Sequence, residues 1–204
     1  MEKFYNEVYN NLGILKIFKN RTQPENDCKT IITESKKELC ALGHTMNRFM
    51  QQNRVELMAA AKRGVEIKIL ALSDEKIMIN KEISQEIFSL ISQRQSEEVM
   101  HGFANGEYQC NNLKEIVREI NQQVAHSSGQ GTQISLAFYI ALPINSTLFN
   151  EKEMVAGSFF HQKESGSSFT LKLKSGELFS QYQSHFNSLW EDKRFVKHCT
   201  DVNL

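Results

Sequence analysis

Apolar positions along this chain fall into two textures. Up to about Gln123 they recur mostly at helical spacing, and beyond the Ser127-Ser128-Gly129-Gln130-Gly131 loop they gather into short runs separated by turns. Residues 1–18 predict an amphipathic helix, with Phe4, Val8, Leu12 and Leu15 on one face, and Pro24 breaks it. Helical pattern resumes at Ile31 and Ile32 and runs through Ser35-Lys36-Lys37-Glu38. Leu39-Cys40-Ala41-Leu42-Gly43 then suits a buried strand, with His44 and Thr45 at its C-terminal end. A helix over residues 47–62 follows, carrying Phe49, Met50, Leu57 and Met58 inward, and Gly64 is placed to close it. Residues 65–72 alternate and then turn apolar, as a strand entering a sheet does. Strand, helix and strand within about 30 residues make a βαβ unit, so the sheet is expected to be parallel here.

Residues 81–123 predict two or three helices, interrupted near Gly102 to Gly106. Residues 134–142, 146–149, 154–160 and 168–173 read as strands. A helix over 177–195 closes the chain, with Phe179, Tyr182, Phe186, Leu189 and Trp190 on its apolar face. The expectation is one α/β domain over residues 1–204. Its mixed, largely parallel sheet is flanked by helices, and residues 81–123 form a helical insertion beside it. No internal repeat, linker or low-complexity tract interrupts the pattern.

Composition narrows the classes of function. Lys plus Arg and Asp plus Glu number 24 each, so no global positive field gathers nucleic acid or an anionic membrane. Cys28, Cys40, Cys110 and Cys199 are scattered without a Cys-x-x-Cys pair, which points to reduced thiols rather than a zinc or disulfide framework. No segment approaches the ~20 apolar residues of a membrane span, and the N-terminus carries no apolar run of signal-peptide length. A soluble, cytoplasmic protein without membrane insertion, and without a cofactor, is the expectation.

Three segments carry a family likeness. Leu57-Met58-Ala59-Ala60-Ala61-Lys62-Arg63-Gly64-Val65-Glu66-Ile67-Lys68-Ile69-Leu70 joins a small-residue helix to an alternating strand through Arg-Gly-Val. Lys37-Glu38-Leu39-Cys40-Ala41-Leu42-Gly43 forms the first core strand after a charged helix end, and Phe186-Asn187-Ser188-Leu189-Trp190 closes the chain. Together they resemble the phospholipase-D-like superfamily. In that family a His-x-Lys, four residues, Asp and a downstream Gly-Ser cleave phosphodiesters, with histidine as nucleophile and lysine neutralising phosphate charge. Gly157-Ser158 is the best match to the Gly-Ser. Counting back puts Asn150 at the aspartate position, Asn145 at the lysine and Pro143 at the histidine. Proline has no nucleophile and asparagine has no charge, so on this register the chemistry is gone. His161-Gln162-Lys163 followed by Gly166-Ser167 offers a shifted motif, but Ser168 then stands where aspartate is required.

Other residues carry candidate chemistry of their own. His44, Thr45, Asn47 and Arg48 sit between a strand end and a helix start, where open α/β sheets bind ligands. Helix amides and Arg48 would favour an anion there, while the plainer reading is a cap by Thr45 or Asn47 and a solvated Arg48. His161, Lys163, Ser165, Ser167 and Ser168 form a polar turn able to hold phosphate, or a solvated hairpin turn. His101, His126, His185 and His198 lack metal-ligand spacing. Lys36, Lys37 and Arg63 read as solvated charges, and the aromatic stripe of the closing helix as core.

The leading expectation is a catalytically degenerate phospholipase-D-like domain that binds a ligand or partner in bacterial regulation or defence. Its candidate ligand-binding residues are His44, Thr45, Asn47, Arg48, Asn145, Asn150 and Ser167, for a phosphate-containing ligand. The rival is a phosphodiesterase or nuclease using His161 and Lys163 as catalytic residues, with His44, at a dimer interface. Single-repeat members of the family pair as homodimers, so the resemblance also implies a homodimer.

Overall fold

The structure is a computed structural model, and it describes residues 9–44, 46–73, 106–127, 131–139, 145–158 and 168–200. The first element departs from expectation. Among the described residues, 9–12 are helical before Gly13 turns the chain at a φ of 76°, and Ile14–Phe18 is strand β1. Its branched and aromatic residues suit a pleated surface, and pairing with a late strand overrides the helical spacing of Leu12 and Leu15. A Cβ on Gly13 would lie 2.6 Å from the Lys174 carbonyl oxygen, so only glycine permits this entry to the sheet.

Helix α1 (Glu25–Glu34) starts directly after Pro24, with Glu25 and Asp27 in its first turn facing the positive end of the helix dipole. It ends at Ser35 instead of continuing to Glu38. The Arg63 guanidinium donates through Nη2 to the carbonyls of Ile32, Thr33 and Ser35, at 3.3, 3.1 and 3.4 Å. Arg63 is therefore a cap on the C-terminal carbonyls of α1 as well as an exposed charge.

Strand β2 (Glu38–Gly43) leads into two helices where one was expected, α2 (Asn47–Gln52) and α3 (Arg54–Lys62). Asn53 makes the break. Its side-chain amide donates to the Phe49 carbonyl at 2.8 Å, competing with the helical ladder. Gly64, at a φ of 87°, ends α3 as expected: its N–H donates to Ala61 and that of Val65 to Ala60, the double bond of a Schellman turn.

Strand β3 (Glu66–Leu72), helix α4 (Gly106–Ala125) and strand β4 (Ile134–Tyr139) complete a second crossover. The remaining elements are β5 (Asn145–Asn150), β6 (Glu153–Ser158), β7 (Thr170–Lys174), α5 (Glu177–Glu191) and β8 (Val196–His198). The closing helix is thus shorter than expected. Asp192 turns the chain so that residues 196–198 pair with β4, an edge strand the sequence pattern did not signal.

The eight strands form one sheet in the order β1-β7-β6-β5-β2-β3-β4-β8. The sheet is mixed as expected, but only β2–β3 and β3–β4 run parallel; the other neighbours are antiparallel. Helices α1 to α4 cover one face, burying Ile31, Leu57, Leu113, Val117 and Ile120 against Leu39, Ile67 and Leu148. Helix α4 therefore belongs to the main core instead of standing beside it. Buried Asn121 fixes it there, donating to the Ile134 carbonyl and accepting from the Ile134 N–H. Helix α5 covers the other face, with Phe186 edge-on to Phe149 at 5.4 Å.

Candidate functional site

Five strand termini meet at one end of the sheet. Strands β1, β2 and β6 end there, while β5 and β7 begin there. The register sets Ser146 beside Gly157, Gly157 beside Thr170 and Thr170 beside Phe18, so these residues share one cross-strand row. Side chains alternate along a strand, and Leu148 and Val155 of the same set pack in the α1–α4 core. Ser146 and Thr170 therefore belong to that face. Asn145 and Ser158 pair in the next row, on the α5 face.

A cation enters this row from outside the expected motifs. Past Phe18 the chain folds back, because the Asn20 side-chain oxygen accepts from the Thr22 and Gln23 N–H groups. Arg21 is thereby presented to the sheet end, where its Nη2 donates to Ser146 Oγ at 2.5 Å. A Cβ built on Gly157 would meet Thr170 Oγ1 at 3.2 Å, Ser146 Oγ at 3.3 Å and Arg21 Nε at 3.4 Å. The three polar groups converge on the bare Cα of Gly157.

The electrostatics follow from burial. Desolvation lowers the pKa of the Arg21 guanidinium, although a group with so high an ordinary value remains charged. The His44 imidazole is pushed down to about 4, first by burial and then by the positive charge of Arg21, so it is neutral at physiological pH. The same sheet end holds Asn145 Oδ1, Thr147 Oγ1, Ser168 Oγ and Thr170 Oγ1. All four are shielded from solvent and without a hydrogen-bond partner among the described residues. Buried polar atoms of this kind are normally satisfied by protein, water or ligand.

The residues singled out in the sequence fare unequally. His44 follows the end of β2, whose Leu42 pairs with Thr147, so it stands at the same sheet end as Asn145. Asn47 opens α2 and Arg48 is exposed on its first turn. That helix has six residues, with Met46 before it in the left-handed region at a φ of 55° and no side-chain cap. The extended helix expected to direct its dipole at an anion is therefore not formed. Asn150 lies at the opposite end of β5, roughly 17 Å from Asn145 at the usual rise per residue. There its Nδ2 donates to the Ile31 carbonyl at 3.0 Å, and its Oδ1 accepts from the N–H groups of Lys152 (2.8 Å) and Glu153 (2.9 Å). Asn150 builds the β5–β6 turn. Thr45, Pro143, His161, Lys163 and Ser167 lie outside the described residues.

Arg21 is the residue that sequence reasoning missed. Its only local signal is the Asn20-Arg21-Thr22-Gln23-Pro24 turn, and its meaning depends on β1 pairing with β7 across more than 150 positions. Among the described residues no group of three or more His, Cys, Asp or Glu side chains could hold a metal ion. No helix among them is long and apolar enough to cross a membrane.

Comparison with known proteins gives a sequence match and a fold. Residues 14–110 match the family described as the transcriptional regulator TrmB, EBD N-terminal subdomain. No curated protein matches by sequence. Among solved structures, the phosphatidylserine synthase of Haemophilus influenzae Rd KW20 is similar over 95% of this chain and 42% of its own, at 11% identity and a TM-score of 0.51. Nuc from Salmonella typhimurium, a phospholipase D family member, is similar over 88% of this chain and 97% of its own, at 14% identity and a TM-score of 0.48. The archaeal chromatin protein TrmBL2 is similar over 93% of this chain, at 11% identity and a TM-score of 0.48. This chain spans 60% of the length of TrmBL2 and 42% of that of the synthase. The mixed sheet flanked by helices is a fold that this chain shares with the synthase.

Proposed function

We propose that this chain is a catalytically degenerate phospholipase-D-like domain that binds a phosphate-containing ligand at the sheet end and serves as a regulatory module. The observation that carries the reading is the state of the two motif positions within the described residues. Asn150, at the aspartate position, spends both ends of its amide on backbone groups. Asn145, at the lysine position, is a buried neutral amide and supplies no charge to a phosphate. The same sheet end still gathers a cation, an imidazole and buried hydroxyls, the equipment of a binding site. The match of residues 14–110 to a subdomain of a transcriptional regulator favours regulation over metabolism. We take the chain to act as one domain in the cytoplasm, paired as a homodimer.

The test is hydrolysis. Purified protein is incubated with bis(para-nitrophenyl) phosphate, a phospholipid and single- and double-stranded DNA, and products are followed over hours. The reading expects no product above a protein-free control, and a raised melting temperature with a phosphate-bearing ligand. Turnover that scales with protein concentration and is lost in His161→Ala would overturn it in favour of a phosphodiesterase or nuclease built on His161 and Lys163.

A further inference from the structure

Among the described residues six large apolar side chains are exposed, and four of them stand at one edge of the sheet. Leu15 (45% exposed) and Ile17 (52%) lie on β1 itself, Tyr9 (42%) in the helical turn that leads into it, and Phe169 (41%) one residue before β7. The register sets Phe169 at the far end of β1, since Phe18 pairs with Thr170. The other two are solitary, Val55 on α3 and Phe195 beneath the Arg194 guanidinium. The same edge is basic. Lys174 donates its N–H to Gly13 at the start of β1, Lys16 lies within the strand and Lys19 just past its end, and all three side chains are exposed. Asp27 and Glu153 are held by Lys172 at 3.0 and 2.9 Å, and Asp27 reaches Lys16 only at 3.7 Å. Exposed Glu177 at the start of α5 is left to oppose the lysines. The opposite edge, β8, exposes Lys197 and His198 and buries Val196. Single exposed apolar residues are ordinary, whereas a group of them set among lysines marks a contact surface.

We propose that the β1 edge docks this domain on an anionic lipid surface, its apolar side chains entering the headgroup layer and its lysines meeting the lipid phosphates. Other occupants fit the edge less well. Strand addition needs a regular edge, but the register breaks between Ile14 and Lys16, and a bulge beside a lysine blunts an edge strand. A second copy related by a two-fold axis would set Lys16 and Lys19 against their own counterparts, like charge on like. A folded acidic partner needs one matching face. Here Ile17 pairs with Leu171 on the α5 side, while Lys16 pairs with Lys172 and reaches toward Asp27 of α1, so the exposed set straddles the edge. A fluid headgroup layer takes in side chains from both faces of an edge at once, and it suits a mixture of aromatic, aliphatic and lysine groups. The chain as a whole is neutral, so the attraction is local and acts within a Debye length of the surface. The proposal stands apart from the ligand-binding reading and gives the domain a place to act.

The experiment is flotation of the full chain with vesicles of phosphatidylcholine alone or mixed with phosphatidylglycerol, at low and high salt. Wild-type protein is expected to float with the mixed vesicles, to leave the phosphatidylcholine vesicles unbound and to be released by salt. Lys19→Gln and Lys174→Gln should each weaken partition onto the mixed vesicles about fivefold, and together about 25-fold. Ile17→Thr keeps a β-branched residue on the strand and should weaken partition about fivefold at an unchanged melting temperature. All three positions are exposed, which keeps folding out of the comparison. Equal binding to the two vesicle types, binding unaltered in the triple variant, or no binding to either vesicle would overturn the proposal. Two controls reassign the edge if vesicles stay unbound. Binding to poly-glutamate that the same substitutions remove makes the occupant an acidic protein, and a dimer that Ile17→Thr converts to monomer in sedimentation makes it a second copy.

Discussion

An aspartate at position 150, where the phospholipase-D-like motif would place one, should damage this protein. In Asn150→Asp the two N–H bonds from Lys152 and Glu153 to the side-chain oxygen survive, and strengthen when the acceptor is charged. The donor to Ile31 is lost, and a carboxylate oxygen then faces the Ile31 carbonyl oxygen at about the 3.0 Å now spanned by the bond. Ile31 is not orphaned, since the Ser35 hydroxyl also donates to its carbonyl at 2.6 Å. The cost is therefore one buried hydrogen bond plus the repulsion and desolvation of a charge at a site 3% exposed, less the gain at the turn. That balance is about 1–3 kcal/mol. For a chain of this length it lowers the melting temperature by roughly 2–4 °C per kcal/mol. The sign of its pH dependence is fixed too. Burial and the facing carbonyl raise the carboxyl's folded pKa, and once protonated the group donates to Ile31, so the deficit shrinks as pH falls from neutral toward about 4 and is smallest below it. Urea unfolding of both proteins by circular dichroism at neutral and acid pH reads this directly. An Asn150→Asp protein as stable as wild type at pH 7, or one whose deficit grows with acid, would refute the structural role given to Asn150.

Three further outcomes follow from the same contacts. His44 has a folded pKa of about 4 against an ordinary 6.5, so the unfolded chain takes up the proton first. Its contribution is fully present above about pH 6.5 and fades toward pH 4, by up to about 3 kcal/mol, and His44→Gln should flatten that part of a stability–pH curve. Gly64→Ala forces a left-handed alanine at the end of α3 and should cost about 1–2 kcal/mol in urea unfolding, whereas Gly64→Asn should cost less. Phe186→Ala opens the α5 core between Phe149 and Trp190 and should cost about 3–5 kcal/mol; a loss under 1 kcal/mol would mean that the sheet and α5 are not packed as described.

The parts of this fold that were legible in the sequence are those set by neighbours along the chain. The Arg63-Gly64-Val65 step ends a helix and starts a strand through bonds spanning five residues, and its chemistry is visible without a partner. Strands β1 and β8 were not legible because each is a strand only by pairing with a distant one, β7 and β4. The break at Asn53 was missed since its side-chain bond to Phe49 competes with a helix that spacing alone favours. The candidate site shows the same division. His44 and Asn145 were marked by strand ends and motif position, but the cation that reaches this end of the sheet, Arg21, comes from the turn after an unrecognised strand. Asn150, a ligand-binding candidate by motif position, holds the β5–β6 turn through its amide, a role that follows only from the fold.

The central claim, binding without cleavage, is tested most directly by phosphorus NMR of a phosphodiester incubated with the full chain. The account predicts one resonance that broadens or shifts with added protein while its integral stays constant over days, and that sharpens again when excess inorganic phosphate competes. A growing phosphomonoester resonance, at a rate proportional to protein concentration, would contradict it.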